Sequence, residues 1–220
     1  MDFLSHLKIG RNEVSDICES SIMGEETVMS LARELHAANL IGLDDGALTI
    51  GAGGRVRIGC YFLGKGASLE ELGRVLDWRE FEDLVSKSLE AQRFTTWKNF
   101  RMRKPTREID VVGLYSGFAI AFDCKHWQRV SSYSLSLAAD KQVQRVRQLV
   151  ASEAIPGIEE ALPALVVLGP LHRASVHGVP VVHSDGLMDF IAGARGSTRD
   201  FVSITASKRG AGSSHGQRRL

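Results

Sequence analysis

The chain has 220 residues, 44% apolar and 24% charged, the balance of an ordinary globular protein that can hold one medium domain and a small appendage. Lys and Arg total 27 against 26 for Asp and Glu, so the net charge of +1 carries no global polyanion signature, and any nucleic-acid surface must be local. Three cysteines without CxxC spacing exclude a disulfide scaffold, and the lack of a leader or long apolar run predicts a reduced cytoplasmic setting with no membrane role.

Residues 1–66 read as a separate module. Stretches 1–9 and 13–18 predict short helices, and 25–39 predicts a longer one. Val28, Leu31, Ala32 and Leu35 recur there at helical spacing behind the acids of the first turn. Residues 40–43 and 47–50 flank Asp44-Asp45-Gly46 as a β-hairpin. Helices followed by such a hairpin predict a winged-helix-like α+β module. DNA docking through a recognition helix is one role for it, and packing or dimerisation is the other. Nine acids against six bases (6 − 9 = −3) favour packing, because so acidic a surface neutralises few phosphates. Residues 59–66 approach a phosphate-binding loop, but Gly66 stands where a Ser or Thr hydroxyl is needed. They are read as a turn before the next helix.

Residues 67–76 and 78–91 predict helices, the first with Ser68 and Glu71 at capping-box spacing. In the second, Phe81, Leu84, Val85 and Leu89 form the buried stripe, Glu82 lies at its edge and Asp83 on the solvent side. Residues 93–107 carry six bases and no acid. A β-prone segment, 94–100, leads into the basic loop 101–107, and Lys98, Arg101, Arg103, Lys104 and Arg107 are candidate contacts to nucleic-acid phosphates.

Segments 109–114 and 118–124, joined by Tyr115-Ser116-Gly117, predict a hairpin. A helix over 135–150 places Ala139, Val143, Val146 and Val150 on one face. Lys141, Arg145 and Gln148 lie on another, and its two bases join the candidate phosphate contacts. Residues 154–163 read as a loop and 164–168 as a strand buried on both faces, ended by Gly169-Pro170. Residues 179–182 predict a strand with Pro180 marking an edge, and Ser184 caps a helix over 185–192. His172, His177 and His183 lie in connections without zinc spacing. Residues 196–220 form a tail, partly disordered, basic and Gly/Ser-rich from 207.

The chemistry concentrates at the hairpin. Alternation puts Phe118, Ile120, Phe122 and Cys124 on one face, and Ala119, Ala121, Asp123 and Lys125 on the other. Asp123 and Lys125 are then neighbours about 6.5–7 Å apart along the strand. Asp110 reaches the same spot if it shares that face. Charges at the end of an apolar ribbon are costly unless they bind something. A carboxylate pair suits Mg²⁺ or Mn²⁺, and an adjacent lysine suits phosphoryl transfer.

Asp110 followed by Asp123-x-Lys125 after a hairpin resembles the PD-(D/E)xK nuclease superfamily, and the wording around both motifs is most similar to its Mrr-like and archaeal Holliday-junction-resolvase branches. The match spans roughly 77–192, with no Pro before Asp110 and Asp in place of the commoner Glu. The resemblance implies a restriction-endonuclease-like α/β domain over 67–195, with a mixed central sheet flanked by helices. It implies a Mg²⁺- or Mn²⁺-dependent DNA endonuclease in which Asp110, Asp123 and the Cys124 carbonyl bind the metal. Glu82 would reach it directly or through water, and Lys125 would orient the attacking water. Gln142, with Gln144 as alternative, matches a helix glutamine of some relatives, while His126 and Trp127 follow the motif without an assigned catalytic role. Two-strand cutting would call for a homodimer. The rival expectation is a non-catalytic nucleic-acid-binding or regulatory protein on a degenerate nuclease scaffold.

Overall fold

The structure is a computed structural model that describes residues 1–125, 131–168 and 174–206. His126, Trp127, His172, Gly169-Pro170 and the segment from Ser207 onward lie outside the described residues. Helix α1 (Asp2–His6), strand β1 (Gly10–Glu13), helices α2 (Val14–Ser20) and α3 (Glu25–Ala37), and strands β2 (Gly42–Asp44) and β3 (Ala47–Ile50) come first. Their strands form a small antiparallel sheet in the order β1-β3-β2. Val28, Ala32 and Leu35 of α3 are buried as the spacing predicts.

Helix α4 (Gly54–Gly64) follows, where the sequence suggests a turn. Propensity argues against a helix with glycines at 54, 59 and 64. Packing overrides it, because a Cβ on Gly59 would stand 3.3 Å from Leu72 Cδ2, so the glycine is what lets α4 lie against its neighbour. That neighbour is α5 (Leu69–Val75), which starts in the expected Ser68–Glu71 capping box. A second box, Asp77 with Glu80, opens α6 (Trp78–Ala91).

Strands β4 (Thr95–Met102), β5 (Arg107–Tyr115) and β6 (Phe118–Lys125) form an antiparallel meander. Helix α7 (Ser132–Ser152) crosses back, and β7 (Glu160–Val167) pairs parallel with β6. Then come β8 (Ser175–Val176), β9 (Val179–His183), a 3₁₀ turn (Ser184–Gly186), α8 (Leu187–Gly193) and β10 (Ile204–Thr205). The sheet order is β4-β5-β6-β7-β9-β8, with β10 also against β7, so the architecture is α/β with a mixed sheet between helical layers.

Each face of the sheet has its own cover. Val111, Ile120, Phe122, Ala164 and Val166 pack under Phe81, Leu84, Val85 and Leu89 of α6. Val112, Ala119 and Ala121 pack under Val146 and Leu149 of α7, whose first half covers Leu165, Val179 and Val181.

Three local expectations change. Residues 160–163 belong to β7, not to a loop. Pro163 fits because β10 pairs with 160–161 and β9 with 165–167, leaving a gap beside it where no ladder donor is lost. Strand β9 is not the edge, since the two-residue β8 lies outside it. Ser184 does not cap the last helix: it opens the 3₁₀ turn, whose N-cap is His183.

Candidate carboxylate site

The site forms where β5 and β6 part. Their ladder runs from Tyr115↔Phe118 to Val111↔Phe122 and stops, while β6 continues to Lys125 against β7 alone. Ile109 and Val112 both pack toward α7 although three residues apart, so alternation breaks at Asp110. Asn99, between the paired residues 98 and 100 of β4, is in the left-handed region at φ 49°. At this break the Asp110 side chain replaces the missing ladder carbonyl: the Cys124 backbone N–H donates to Asp110 Oδ2 at 2.7 Å. The hydrogen bond fixes the first acid beside the strand that carries the second.

Asp123 is 2% exposed and faces α7 with Ala119 and Ala121. Lys125 Nζ lies 2.9 Å from its Oδ1 and 2.8 Å from its Oδ2. Arg145 Nη1 donates to Oδ1 at 3.0 Å and reaches Gln142 Oε1 at 3.3 Å. Gln142 is fully buried, and its Nε2 donates to the Ala121 carbonyl at 2.8 Å. Oδ2 of Asp123 is buried and makes no well-formed hydrogen bond; its approach to Lys125 is charge contact off hydrogen-bond geometry.

Glu82, on the sheet side of α6, is 6% exposed. Burial, and then the charges of Asp110, Glu108 and Asp83, push its carboxyl up to about 7. Asp110 is pushed up to about 6 by burial and then by Asp123, against the opposing pull of the Cys124 N–H, Lys125 and Arg145. Burial, reinforced by the three carboxylates, raises the Cys124 thiol well above its ordinary range. The acids are therefore close enough to repel, and the local cations leave that repulsion uncompensated at Glu82 and Asp110.

Hard oxygen donors, a buried carboxylate oxygen met only by the Lys125 charge, and repulsion between Glu82 and Asp110 fit a small divalent cation. The residues that would hold it are Asp110, Asp123 and the Cys124 carbonyl, with Glu82 behind Asp110. The three acids do not form one tight cluster. Among the described residues the group of three side-chain ligands within 4.8 Å of one another is Glu70, His183 and Asp185, where α5 meets the end of β9.

The basic residues divide. Lys98 pairs with Asp83, Arg101 with Glu108 at 2.5 Å, and Arg145 with Asp123. Arg145 thus faces the carboxylate rather than open solvent. Arg103, Lys104 and Lys141 are exposed and Arg107 half-exposed, and among the described residues no ion pair holds any of the four. The sequence pattern marks Asp110, Asp123, Lys125 and Glu82. The resemblance also points to Gln142, but the pairing of Gln142 with Arg145 and of Arg145 with Asp123 needs α7 packed over β6 and is not marked.

No family model matches the chain, and no curated protein matches it. Among solved structures, VC1899 from Vibrio cholerae is similar at 18% identity over 87% of this chain and 47% of that one, with a TM-score of 0.43. AF1548, a protein of unknown function, aligns at 15% identity over 55% of this chain and 67% of its own, with a TM-score of 0.39. Can2 from Sulfobacillus thermosulfidooxidans, solved in complex with cyclic tetra-adenylate, aligns at 19% identity over 79% of this chain and 45% of its own, with a TM-score of 0.36. The chain spans about half the length of VC1899 and of Can2. No helix among the described residues is long and apolar enough to cross a membrane.

Proposed function

We propose that this chain is a PD-(D/E)xK-type, divalent-metal-dependent endonuclease that hydrolyses phosphodiester bonds in DNA. The observation that carries the reading is the Asp110–Cys124 N–H bond, which supports the first acid beside Asp123 and Lys125 at the opening between β5 and β6. A bound Mg²⁺ or Mn²⁺ would supply Lewis-acid polarisation of the scissile phosphoryl group and offset its developing charge.

The chain's own groups do the rest. Lys125 would donate a hydrogen bond to the attacking water and orient it. Burial and then Asp110 raise the Glu82 carboxyl in the metal-free chain, and a bound cation would favour its carboxylate form beside Asp110. The Gln142–Arg145 pair fixes the orientation of Asp123 from beneath. Arg103, Lys104, Arg107 and Lys141 are free to meet phosphates of the bound strand. The α-β-α-α-β-β order of residues 2–50 supports reading the module as winged-helix-like, and the acids Glu25, Glu26 and Glu34 on α3 suit packing better than groove docking.

Labelled linear, flap and four-way DNAs incubated with Mg²⁺, Mn²⁺ or chelator test the reading. Cleavage should need metal, and Asp110→Asn or Lys125→Ala should lower it on the order of 10²–10³-fold while circular dichroism stays unchanged. Cleavage by either variant at the parental rate would refute the assignment. A second reading draws on one feature: Lys125 and Arg145 both close on Asp123 and compete with a cation. It is a nucleic-acid-binding protein on a nuclease scaffold, and it predicts retention of the same DNAs with no metal-dependent cutting of any.

A further inference from the structure

A cleft of about 840 Å³ separates the N-terminal module from the sheet domain, remote from the sheet face that carries Asp123. Its apolar lining includes Leu40 and, from α4, Val56 and Cys60. The rest of its lining is polar: Ser86 Oγ donates to Thr96 Oγ1 at 2.9 Å, and Thr96 Oγ1 donates to Glu90 Oε1 at 2.9 Å. An apolar lining beside a few ordered polar groups, between two packed units, is the ordinary composition of a small-molecule site.

Charge selects the ligand. Two of the three cations on the walls are neutralised locally, Lys87 by Glu90 and Lys98 by Asp83. Arg57 is the third. It is exposed, has no ion pair among the described residues, and lies over the Gly51–Gly54 loop, its Nη2 3.8 Å from where a Cβ on Gly54 would stand. The adjoining start of α4 has no capping side-chain hydrogen bond and no acid in its first turn, and that end of a helix favours negative charge. The cleft therefore has one net positive charge at its mouth and apolar surface within.

We propose that this cleft binds a small organic monoanion with an aromatic or other apolar body, its anionic group on Arg57 and its body against Leu40, Val56 and Cys60. Such a site serves no step of the phosphodiester chemistry. It does lie on α6, the helix that also carries Glu82.

The probe is 8-anilinonaphthalene-1-sulfonate, an aromatic monoanion, titrated into the full chain in chelator. One saturable equivalent should bind, and Arg57→Glu, an exposed charge reversal, should weaken it about tenfold or more. The bound dye should also slow iodoacetamide alkylation of Cys60, read by peptide mass, while Cys18, half-buried on α2 outside the cleft, keeps its rate. Binding that ignores Arg57→Glu, or an unchanged Cys60 rate at dye saturation, overturns the proposal. So does displacement of the dye by a short oligonucleotide, which would give the cleft to a nucleic-acid strand.

Discussion

At the scale of single residues, Glu82 and Asp110 make the pH behaviour calculable. Glu82 titrates at about 7 in the folded chain against an ordinary 4.5, and Asp110 at about 6 against 3.8. Both folded values are raised, so between the two values the folded state binds more protons than the unfolded one. Their contribution to stability is fully present below about pH 4 and is lost as pH rises through 6 to 7. For Glu82, which is almost fully buried, the full swing is on the order of 2–3 kcal/mol. Urea unfolding in chelator should therefore show stability falling from pH 5 to pH 8, and Glu82→Gln should flatten that fall and be the more stable protein at pH 8. An unchanged slope in Glu82→Gln would mean that the carboxyl is not held up by burial and Asp110. Asp123 and Lys125 were legible in the sequence because a strand's two-residue period is short-range information. Gln142 was named only through the family resemblance and Arg145 only as a phosphate contact, because a partner 22 residues away on another layer leaves no periodic trace of their bonding to Asp123 and to each other.

At the scale of elements, legibility follows how local the cause is. The Ser68–Glu71 box is four residues of chemistry and reads directly. The α6 stripe reads equally well, since Phe81, Leu84, Val85 and Leu89 are all buried. Helix α4 is the opposite case: its glycines argue against a helix locally, and the causes at two of them are tertiary, Gly59 lying against Leu72 of α5 and Gly54 against Ile50 of β3. The start of β7 was obscured in the same way, because the space that admits Pro163 is made by two other strands. The second capping box permits a measurement. Asp77 accepts from the Glu80 N–H at 2.8 Å, and Glu80 Oε2 accepts from the Asp77 N–H at 2.9 Å. Asp77→Ala should cost about 1 kcal/mol, a drop of a few degrees in Tm by calorimetry. It should also lower cleavage more than that loss of stability explains, because fraying begins one turn from Glu82. A variant with parental Tm would show that α6 is held by its stripe alone.

At the scale of the whole molecule, one apolar core runs from Phe3 and Leu4 of α1 through Val56 and Ile58 of α4 to Phe81 of α6 and Phe122 of β6. Arg55 ties the same elements by polar bonds. Its Nε pairs with Glu80 Oε1 at 2.8 Å, its Nη2 donates to the Val75 carbonyl at 2.6 Å, and its Nη1 donates to the carbonyls of Leu4, at 3.2 Å, and Leu7. The side chain is mostly buried, so its removal would take the donor from Glu80 Oε1 and from the Leu7 and Val75 carbonyls in a largely buried place. Sequence composition shifts near residue 66, yet both the core and this arginine cross that point. Cooperativity therefore follows the packing and not the composition. Scanning calorimetry should show a single transition with calorimetric and van't Hoff enthalpies in agreement. Arg55→Ala should lower the stability of the entire molecule by about 2–4 kcal/mol, with the loss of signals from both units at one temperature. Two separated transitions, with the sheet domain melting at the parental temperature in Arg55→Ala, would show that the module is carried by the domain without stabilising it.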